Sequence, residues 1–114
     1  MIDGTRFGQI VIDKTIYHED VLVLPGQVIP CWRRQRGHFL QIQDLADVLE
    51  AFDPQSVVVG TGQFGVMKVS QEVRDYFEEK GIPFHMAPTG KAVKIYNRFL
   101  GIHARVLGCF HINC

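Results

Sequence analysis

The sequence lacks an excess of charge of either sign. Its 114 residues contain twelve lysines and arginines and twelve aspartates and glutamates, so the formal net charge at pH 7 is zero. No overall field draws the protein to a polyanion, which makes nucleic acid the least favoured class of partner. An apolar run of the ~18 residues that span a bilayer is also missing, and residues 1–6 lack the apolar core of a secretory signal. These absences predict a cytoplasmic protein without membrane insertion.

Cysteine is scarce as well. Cys31, Cys109 and Cys114 are the only three, and no two have the C-x-x-C spacing of redox or zinc motifs. Their odd number suggests no disulfide framework, so reduced thiols are predicted. Cys109, His111 and Cys114 invite a metal interpretation, but a fourth ligand has no candidate at a recognisable spacing, and Cys31 and His38 could join only by assumption. We therefore predict buried thiols and a packed histidine, with no metal and no cofactor.

What the sequence does contain is the composition of one globular domain. Apolar residues make up 46% and charged residues 21%, which suits a single core over residues 1–114. The first thirty residues alternate with the period of strands, with turns at Asp13-Lys14 and Pro25-Gly26 and a short strand at residues 27–29. Residues 31–38 interrupt the pattern as a loop or an edge. An antiparallel N-terminal β region is expected.

The rest of the chain alternates between helix and strand patterns. Strands are predicted at residues 56–59, in the middle of the sheet, at residues 83–87 and at residues 103–112, with a turn at residues 88–90. Ser70 is the predicted N-cap and Gly81 the stop of the second helix. Three helix faces are predicted from apolar residues at helical spacing: Ile42, Leu45, Ala46, Leu49 and Phe52; Val73, Tyr76 and Phe77; Ala92, Val93, Tyr96, Phe99 and Leu100. This order predicts a three-layer α/β fold with a mixed central sheet.

One loop carries the most conspicuous motif. The segment Gly60-Thr61-Gly62-Gln63-Phe64-Gly65 spells the G-x-G-x-x-G pattern of dinucleotide-binding folds directly after a strand. In those folds the glycines open the helix, whereas here residues 66–69 intervene before the cap at Ser70, and residues 82–88 supply no acid for a ribose. We therefore predict that the glycines allow positive φ and close backbone approach.

The same loop is the predicted ligand site. Carboxyl ends of neighbouring parallel strands meet at one edge of a sheet, so residues 61–65 and 88–90 should face each other across a crevice. Lys68 would lie near it and attract an anion. No histidine or aspartate stands at a motif spacing from Thr61, so no catalytic residue is assigned and the sequence does not favour an enzyme. The predicted ligand-binding residues are Gly60, Thr61, Gly62, Gly65, Lys68 and Thr89.

A second cluster combines an aromatic side chain with arginines. It consists of Trp32, Arg33, Arg34 and Arg36, and His38 follows it. Such residues hold phosphates and stack on bases, but they also anchor protein interfaces. We rank a protein-interaction surface first, a solvated surface second and nucleic acid third.

Several segments resemble one known family. They are residues 1–8, residues 57–69 with the pattern V-V-V-G-T-G-x-x-G-x-M-K-V, Pro88-Thr89 with Ala92-Val93 and Tyr96-Asn97, and residues 111–114. Together they resemble the Mth nine-three-eight domain family almost from end to end. The resemblance implies a three-layer α/β fold with a mixed sheet and no established activity or cofactor. Known relatives include a mitochondrial complex I assembly factor and an adipogenesis-associated cytoplasmic protein.

Two functional hypotheses follow from these features. The leading one is a non-enzymatic protein-interaction or assembly-factor domain with an unidentified partner, since no catalytic constellation is visible and the Trp32 cluster suits an interface. The alternative is a binding protein or enzyme that holds an anionic small molecule in the crevice, with Lys68 and Thr89 as its anchors.

Overall fold

Ten strands and three α-helices follow one another in the computed structural model, which describes residues 1–114. The strands are β1 (Ile2–Arg6), β2 (Gln9–Ile12), β3 (Thr15–Tyr17), β4 (Val21–Leu24), β5 (Gln27–Ile29), β6 (Phe39–Leu40), β7 (Ser56–Thr61), β8 (Lys68–Val69), β9 (Phe84–Ala87) and β10 (Val106–His111). The helices are α1 (Ala46–Ala51), α2 (Gln71–Glu79) and α3 (Thr89–Leu100), and a short 3-10 helix (Ile42–Leu45) precedes α1.

Five strands form the central sheet in the order β5-β4-β10-β7-β9. β10 and β9 run parallel to β7, whereas β4 is antiparallel to both β10 and β5, so the predicted mixed sheet is confirmed. The predicted place of residues 56–59 needs a correction. β7 is buried along its whole length, but β10 is the middle strand. Both strands are buried along their whole length and mostly apolar, so their composition alone could not show which of them lies in the middle.

Two apolar clusters cover the two faces of this sheet. Val57 and Leu107 face α1 and α2, while their neighbours Val58 and Val106 face α3 and the N-terminal strands. Successive strand residues point to opposite faces, which explains why apolar residues follow one another without alternation in the middle of each strand. The predicted three-layer α/β arrangement is therefore confirmed.

The N-terminal strands β1, β2 and β3 form a separate antiparallel sheet, as predicted. Asp13 and Lys14, at the predicted turn, have φ angles of 47° and 67°, a twist that suits two-residue hairpin turns. Asn97 of α3 ties this sheet to the domain. Its side-chain oxygen accepts from the Ile2 N–H at 2.9 Å, and its side-chain nitrogen donates to the Ile2 carbonyl oxygen at 2.8 Å.

α2 begins and ends where the sequence predicts. The Ser70 hydroxyl oxygen accepts a hydrogen bond from the Val73 N–H at 3.3 Å. Gly81 has a φ of 68° just after the helix, which a glycine adopts without strain. Val73 and Phe77 are fully buried and Tyr76 is half-buried. Local signals therefore suffice for this helix.

Two helix boundaries differ from the predictions. Residues 88–90 are not a separate turn, because Pro88 is the N-cap of α3 and its first turn begins at Thr89. Proline suits that place, since it needs no N–H partner there. The segment from Ile42 winds first as a 3-10 helix, which has three residues per turn and therefore rotates the buried face. Leu45 and Val48 are buried there, and Ala46 is exposed.

Candidate functional site

The loop of residues 62–67 connects β7 to β8, and its backbone is bonded to other elements. The Gly65 N–H donates to the Gly62 carbonyl oxygen at 3.1 Å within the loop. The Gly62 carbonyl oxygen also accepts from the Thr89 N–H at 2.9 Å, and the Gly62 N–H donates to Thr89 Oγ1 at 2.9 Å. Thr89 Oγ1 in turn donates to the His111 carbonyl oxygen at 2.5 Å. Thr89 thus fixes the loop to α3 and β10.

The glycines of this loop stand where side chains do not fit. A Cβ atom at Gly60 would lie 2.8 Å from Thr89 Oγ1, and one at Gly62 would lie 2.5 Å from the Asn113 carbonyl oxygen. The φ angles of Gly62 and Gly65 are 105° and 68°, which favour glycine. The prediction that these glycines allow positive φ and close approach is confirmed.

Backbone N–H groups of the same loop are bonded to residues 113 and 114. The Gln63 N–H donates to the Asn113 carbonyl oxygen at 2.9 Å, and the N–H groups of Phe64 and Val66 donate to the Cys114 carbonyl oxygen at 3.0 Å and 3.3 Å. A nucleotide phosphate would need N–H groups of this kind at a helix N-terminus, but α2 begins only after β8. The N–H groups of the G-x-G-x-x-G segment therefore bind carbonyl oxygens of the same chain instead of a phosphate.

A crevice of about 470 Å³ lies between this loop and the end of β9. The carboxyl ends of the parallel strands β7 and β9 meet there, as the sequence predicts. Of the predicted ligand-binding residues, Thr61, Gly65 and Lys68 line the crevice, whereas Gly60, Gly62 and Thr89 do not. Phe64 and Pro88 of the two predicted loops also line it, together with five residues outside those loops: Met67, Val69, Arg74, Met86 and Ala87.

The crevice is positively charged. Lys68 and Arg74 line it and no carboxylate does. Both side chains are exposed, and neither forms a salt bridge within the chain. The backbone of Lys68 is held by the parallel pairing of β8 with β6, with its N–H donating to the His38 carbonyl oxygen at 2.9 Å. The crevice can therefore attract an anionic group.

Large apolar side chains are exposed beside the crevice. Phe64 is 77% exposed, Phe7 59%, and Val66 and Met86 44% each. The ring centres of Phe7 and Phe64 are 6.1 Å apart. These four residues are called the Phe64 patch below. Clustered exposed apolar side chains mark contact surfaces. The sequence interpretation missed them because Phe64 and Val66 lie in a loop without periodicity, and because Met86 lies in a strand that was read as part of the sheet.

The predicted interaction surface at Trp32 needs a correction. Trp32 is only 7% exposed, belongs to the core, and donates from its ring N–H to the Asp44 carbonyl oxygen at 3.3 Å. The Arg34 side chain is 4% exposed, and its guanidinium carbon lies 4.7 Å from the centre of the Trp32 ring. Arg33 and Arg36 are exposed, as expected. The cluster therefore offers two arginines but no aromatic anchor.

Arg34 belongs to a buried ion network with Asp20 and His111. Its Nη2 donates to Asp20 Oδ2 at 2.7 Å, and His111 Nδ1 lies 2.8 Å from the same oxygen. The Ile112 N–H donates to Asp20 Oδ1 at 2.9 Å. Burial alone would raise the pKa of Asp20, but hydrogen bonds from His111, Ile112 and Arg34 outweigh it and lower the pKa. The network joins the segment before β4 to the loop after β5 and to β10.

A polar pocket of about 310 Å³ opens beside this network, between residues 18–20 and residues 31–37. The Cys31 thiol in its wall donates to the Glu19 carboxylate, which raises the pKa of Cys31 and leaves the thiol unactivated. His111 Nε2 is buried and forms no hydrogen bond. The Asp20–His111 pair therefore resembles two members of a catalytic triad, but no nucleophile is bonded to it.

The prediction of buried thiols holds only for Cys109, because Cys31 is exposed and Cys114 is half-buried. Cys109 is fully buried in β10, and its burial raises the pKa of the thiol. All three cysteines are free. No three histidine, cysteine, aspartate or glutamate side chains lie together in a way that could hold a metal ion. His111, which the sequence grouped with Cys109 and Cys114, binds Asp20 instead.

Together these features define a three-layer α/β domain whose glycine loop is bonded to its own backbone and borders a cationic crevice. A family model described as protein of unknown function (DUF498/DUF598) matches residues 2–111, and the chain belongs to this family. It is the Mth nine-three-eight family, so the resemblance found in the sequence is confirmed.

Solved structures share this fold. The conserved hypothetical protein PH1505 from Pyrococcus horikoshii OT3 is similar with a TM-score of 0.82 and 25% identity, over 100% of this chain and 99% of that one. MT938 gives a TM-score of 0.80 and 26% identity, over 100% and 98% of the two chains.

A Bartonella henselae protein described as an outer membrane protein has a TM-score of 0.79 and 22% identity, over 99% of this chain and 94% of that one. At that identity the likeness shows the fold alone. In the present chain, none of the helices has the length and apolar character needed to cross a membrane.

Proposed function

We propose that this chain is a non-enzymatic protein-interaction domain, of the kind that serves as an assembly factor, and that the Phe64 patch is its contact surface. The observation that carries the proposal is the 77% exposure of Phe64 on a loop whose backbone is bonded to α3 and to residues 113–114. The assembly role of a relative in this family supports it. A cytoplasmic location is part of the proposal, supported by three free thiols.

The hydrogen-bonded backbone of the loop favours binding through the exposed Phe64 side chain. A side chain on a fixed loop loses less conformational entropy when a partner covers it than one on a mobile loop. Aromatic residues near the centre of an interface supply much of its binding free energy. Lys68 and Arg74 stand beside Phe64 and Met86 in the same crevice, which matches an apolar centre with a charged rim.

The test compares serine variants of two exposed apolar residues. Phe64→Ser removes the centre of the patch, and Ile102→Ser is the control, because Ile102 is 65% exposed but follows the opposite end of α3. Tagged wild type and both variants are cross-linked in the native cell, and the bound proteins are quantified by mass spectrometry. Loss of an aromatic anchor costs about 2 kcal/mol or more, so Phe64→Ser should deplete a specific partner at least about tenfold. Equal partner recovery from Phe64→Ser, Ile102→Ser and wild type would contradict the proposal.

A second candidate function is the binding of an anionic small molecule. The observation that favours it is the crevice of about 470 Å³, which has two unpaired cations and no carboxylate in its wall. Thr89 contributes to this site indirectly, because both of its hydroxyl hydrogen bonds are made within the chain.

Thermal-shift screening with anionic metabolites tests this candidate. A ligand at about 100 times its Kd adds about 2.7 kcal/mol of stability. The shift should disappear in a Lys68→Ala, Arg74→Ala double variant and persist in Lys94→Ala, which removes an exposed lysine of α3. A shift that the double variant retains would place the ligand elsewhere.

A further inference from the structure

The outer edge of the central sheet is open along β9. This strand is the last in the order β5-β4-β10-β7-β9, so only its β7 side is paired. Val57 lies opposite Phe84, and its N–H donates to the Pro83 carbonyl oxygen at 2.9 Å. In a parallel pair the backbone groups of alternate residues point to the same side. Residues 83, 85 and 87 therefore point toward β7, and Phe84 and Met86 point their N–H and carbonyl groups outward.

These outward groups have no partner elsewhere in the chain. Neither the Phe84 N–H nor the Met86 N–H forms a hydrogen bond to a turn, a loop or a side chain. Sheet proteins usually protect such an edge with charged side chains, bulges or prolines. β9 has no aspartate, glutamate, lysine or arginine, and its register with β7 is regular. Only Pro83 and Pro88 bound it, and they limit its length without closing it.

The surroundings of this edge are apolar and cationic. Met86 lies in the same crevice as Phe64, Lys68 and Arg74. One acidic residue, Glu78, lines a separate hollow at the Phe84 end together with Arg74. The Met86 end therefore favours negatively charged groups and the Phe84 end is mixed.

We propose that β9 is completed by an extended acidic segment of a protein partner, which adds to the sheet as a sixth strand. This inference rests on the proposed interaction function and specifies its partner class. The segment's backbone bonds to Phe84 and Met86, one of its apolar side chains packs between Met86 and Phe64, and its carboxylates pair with Lys68 and Arg74. Strand addition of this kind takes affinity from main-chain hydrogen bonds and specificity from alternate side chains.

A defined peptide tests the inference directly. The probe is a short acetylated peptide in which valine and glutamate take turns at every second position with threonine between them, so that both side chains face the crevice. It is titrated into ¹⁵N-labelled protein, with the corresponding valine–lysine peptide as the control. The acidic probe should shift the amide signals of Phe84 and Met86 and slow their hydrogen exchange at least about tenfold, as newly formed hydrogen bonds do. The valine–lysine peptide should leave both amides unchanged.

A matched pair of variants at Met86 and one double variant separate the backbone contribution from the charge contribution. Met86→Pro removes an outward N–H, a position where edge strands tolerate proline, and Met86→Ala keeps that N–H. The proline variant should weaken binding of the probe about tenfold relative to the alanine variant. Lys68→Glu combined with Arg74→Glu should reverse the preference toward the valine–lysine peptide. The exchange measurement on wild type needs no variant and stands if Met86→Pro does not fold.

Several results would overturn the inference. They are the absence of probe binding at millimolar concentration, equal binding of both peptides, and exchange protection outside β9. Self-association that Met86→Pro abolishes would assign the edge to a second copy instead. If Phe64→Ser loses its cellular partner while the probe does not bind, the interaction function stands and the strand addition falls. If Phe64→Ser loses nothing, the interaction function itself falls.

Discussion

Replacing Gly62 with alanine is expected to lower the free energy of unfolding by about 3–5 kcal/mol. The φ angle of 105° at this residue costs a side chain about 1–2 kcal/mol. The new Cβ would also lie 2.5 Å from the Asn113 carbonyl oxygen and 2.7 Å from the Cys114 carbonyl carbon. Because those atoms are backbone, residues 113–114 must move. The three hydrogen bonds that they accept from the N–H groups of residues 63, 64 and 66 are then lost, at about 1 kcal/mol each.

Two other glycines make the comparison quantitative. Gly26 has a φ of 70° and no atom within 4 Å of its Cβ position, so Gly26→Ala measures the backbone cost alone, about 1 kcal/mol. Gly37 has the same open space without a positive φ, and Gly37→Ala should change stability by less than about 1 kcal/mol.

Urea denaturation of the three variants provides the measurement. A loss of about 3 kcal/mol lowers the midpoint by roughly 1–3 M at ordinary m-values, and a domain stable by about 5–15 kcal/mol remains folded in most of that range. If Gly62→Ala is no more destabilising than Gly26→Ala, the close approach of residues 113–114 to the loop is not what selects glycine there.

Three further predictions concern buried polar groups and thiols. Asp20→Asn should cost about 3 kcal/mol at pH 7, since it leaves the buried Arg34 cation unpaired. Because the folded pKa of Asp20 is lowered, the carboxylate's stabilisation is present above about pH 4 and lost as the pH falls through that lowered value, so denaturation of wild type and variant should converge in acid. Thr89→Val should cost about 2–4 kcal/mol because two buried backbone partners lose their hydrogen bonds, whereas Thr89→Ser should retain most stability in the same assay. Alkylation mapped by mass spectrometry at pH 8 should modify the exposed Cys31 and spare Cys109 until the protein unfolds; labelling of native Cys109 would show that β10 opens.

Much of the fold could be predicted from the sequence because the signals are local. Ser70, Val73, Phe77 and Gly81 supply the cap, the buried face and the stop of α2, all within twelve residues. The apolar run at residues 56–59 likewise indicates a strand covered on both faces. Local signals could not show whether β7 or β10 is the middle strand, because the order of strands in a sheet depends on contacts between distant segments.

The candidate site was only partly predictable for the same reason. Thr61, Gly65 and Lys68 come from a motif and do line the crevice. The pairing of Asp20 with His111 joins residues that are 91 positions apart, and no spacing rule connects them. Trp32 lies in a polar segment that indicates a surface, but its ring packs into the core with residues from elsewhere in the chain. Long-range packing outweighs local polarity there.

The central place of β10 has a consequence for folding. The strand in the middle of the sheet is also the last one along the chain, and it pairs Phe110 with Val21 on one side and with Gly60 on the other. Contacts between such distant segments slow folding, since the connecting chain must be ordered first. During synthesis the β4–β5 hairpin and the β7–β9 unit should therefore remain two unconnected parts of the central sheet. They can join only when residues 106–111 have left the ribosome, so the domain should acquire its native core in one late step.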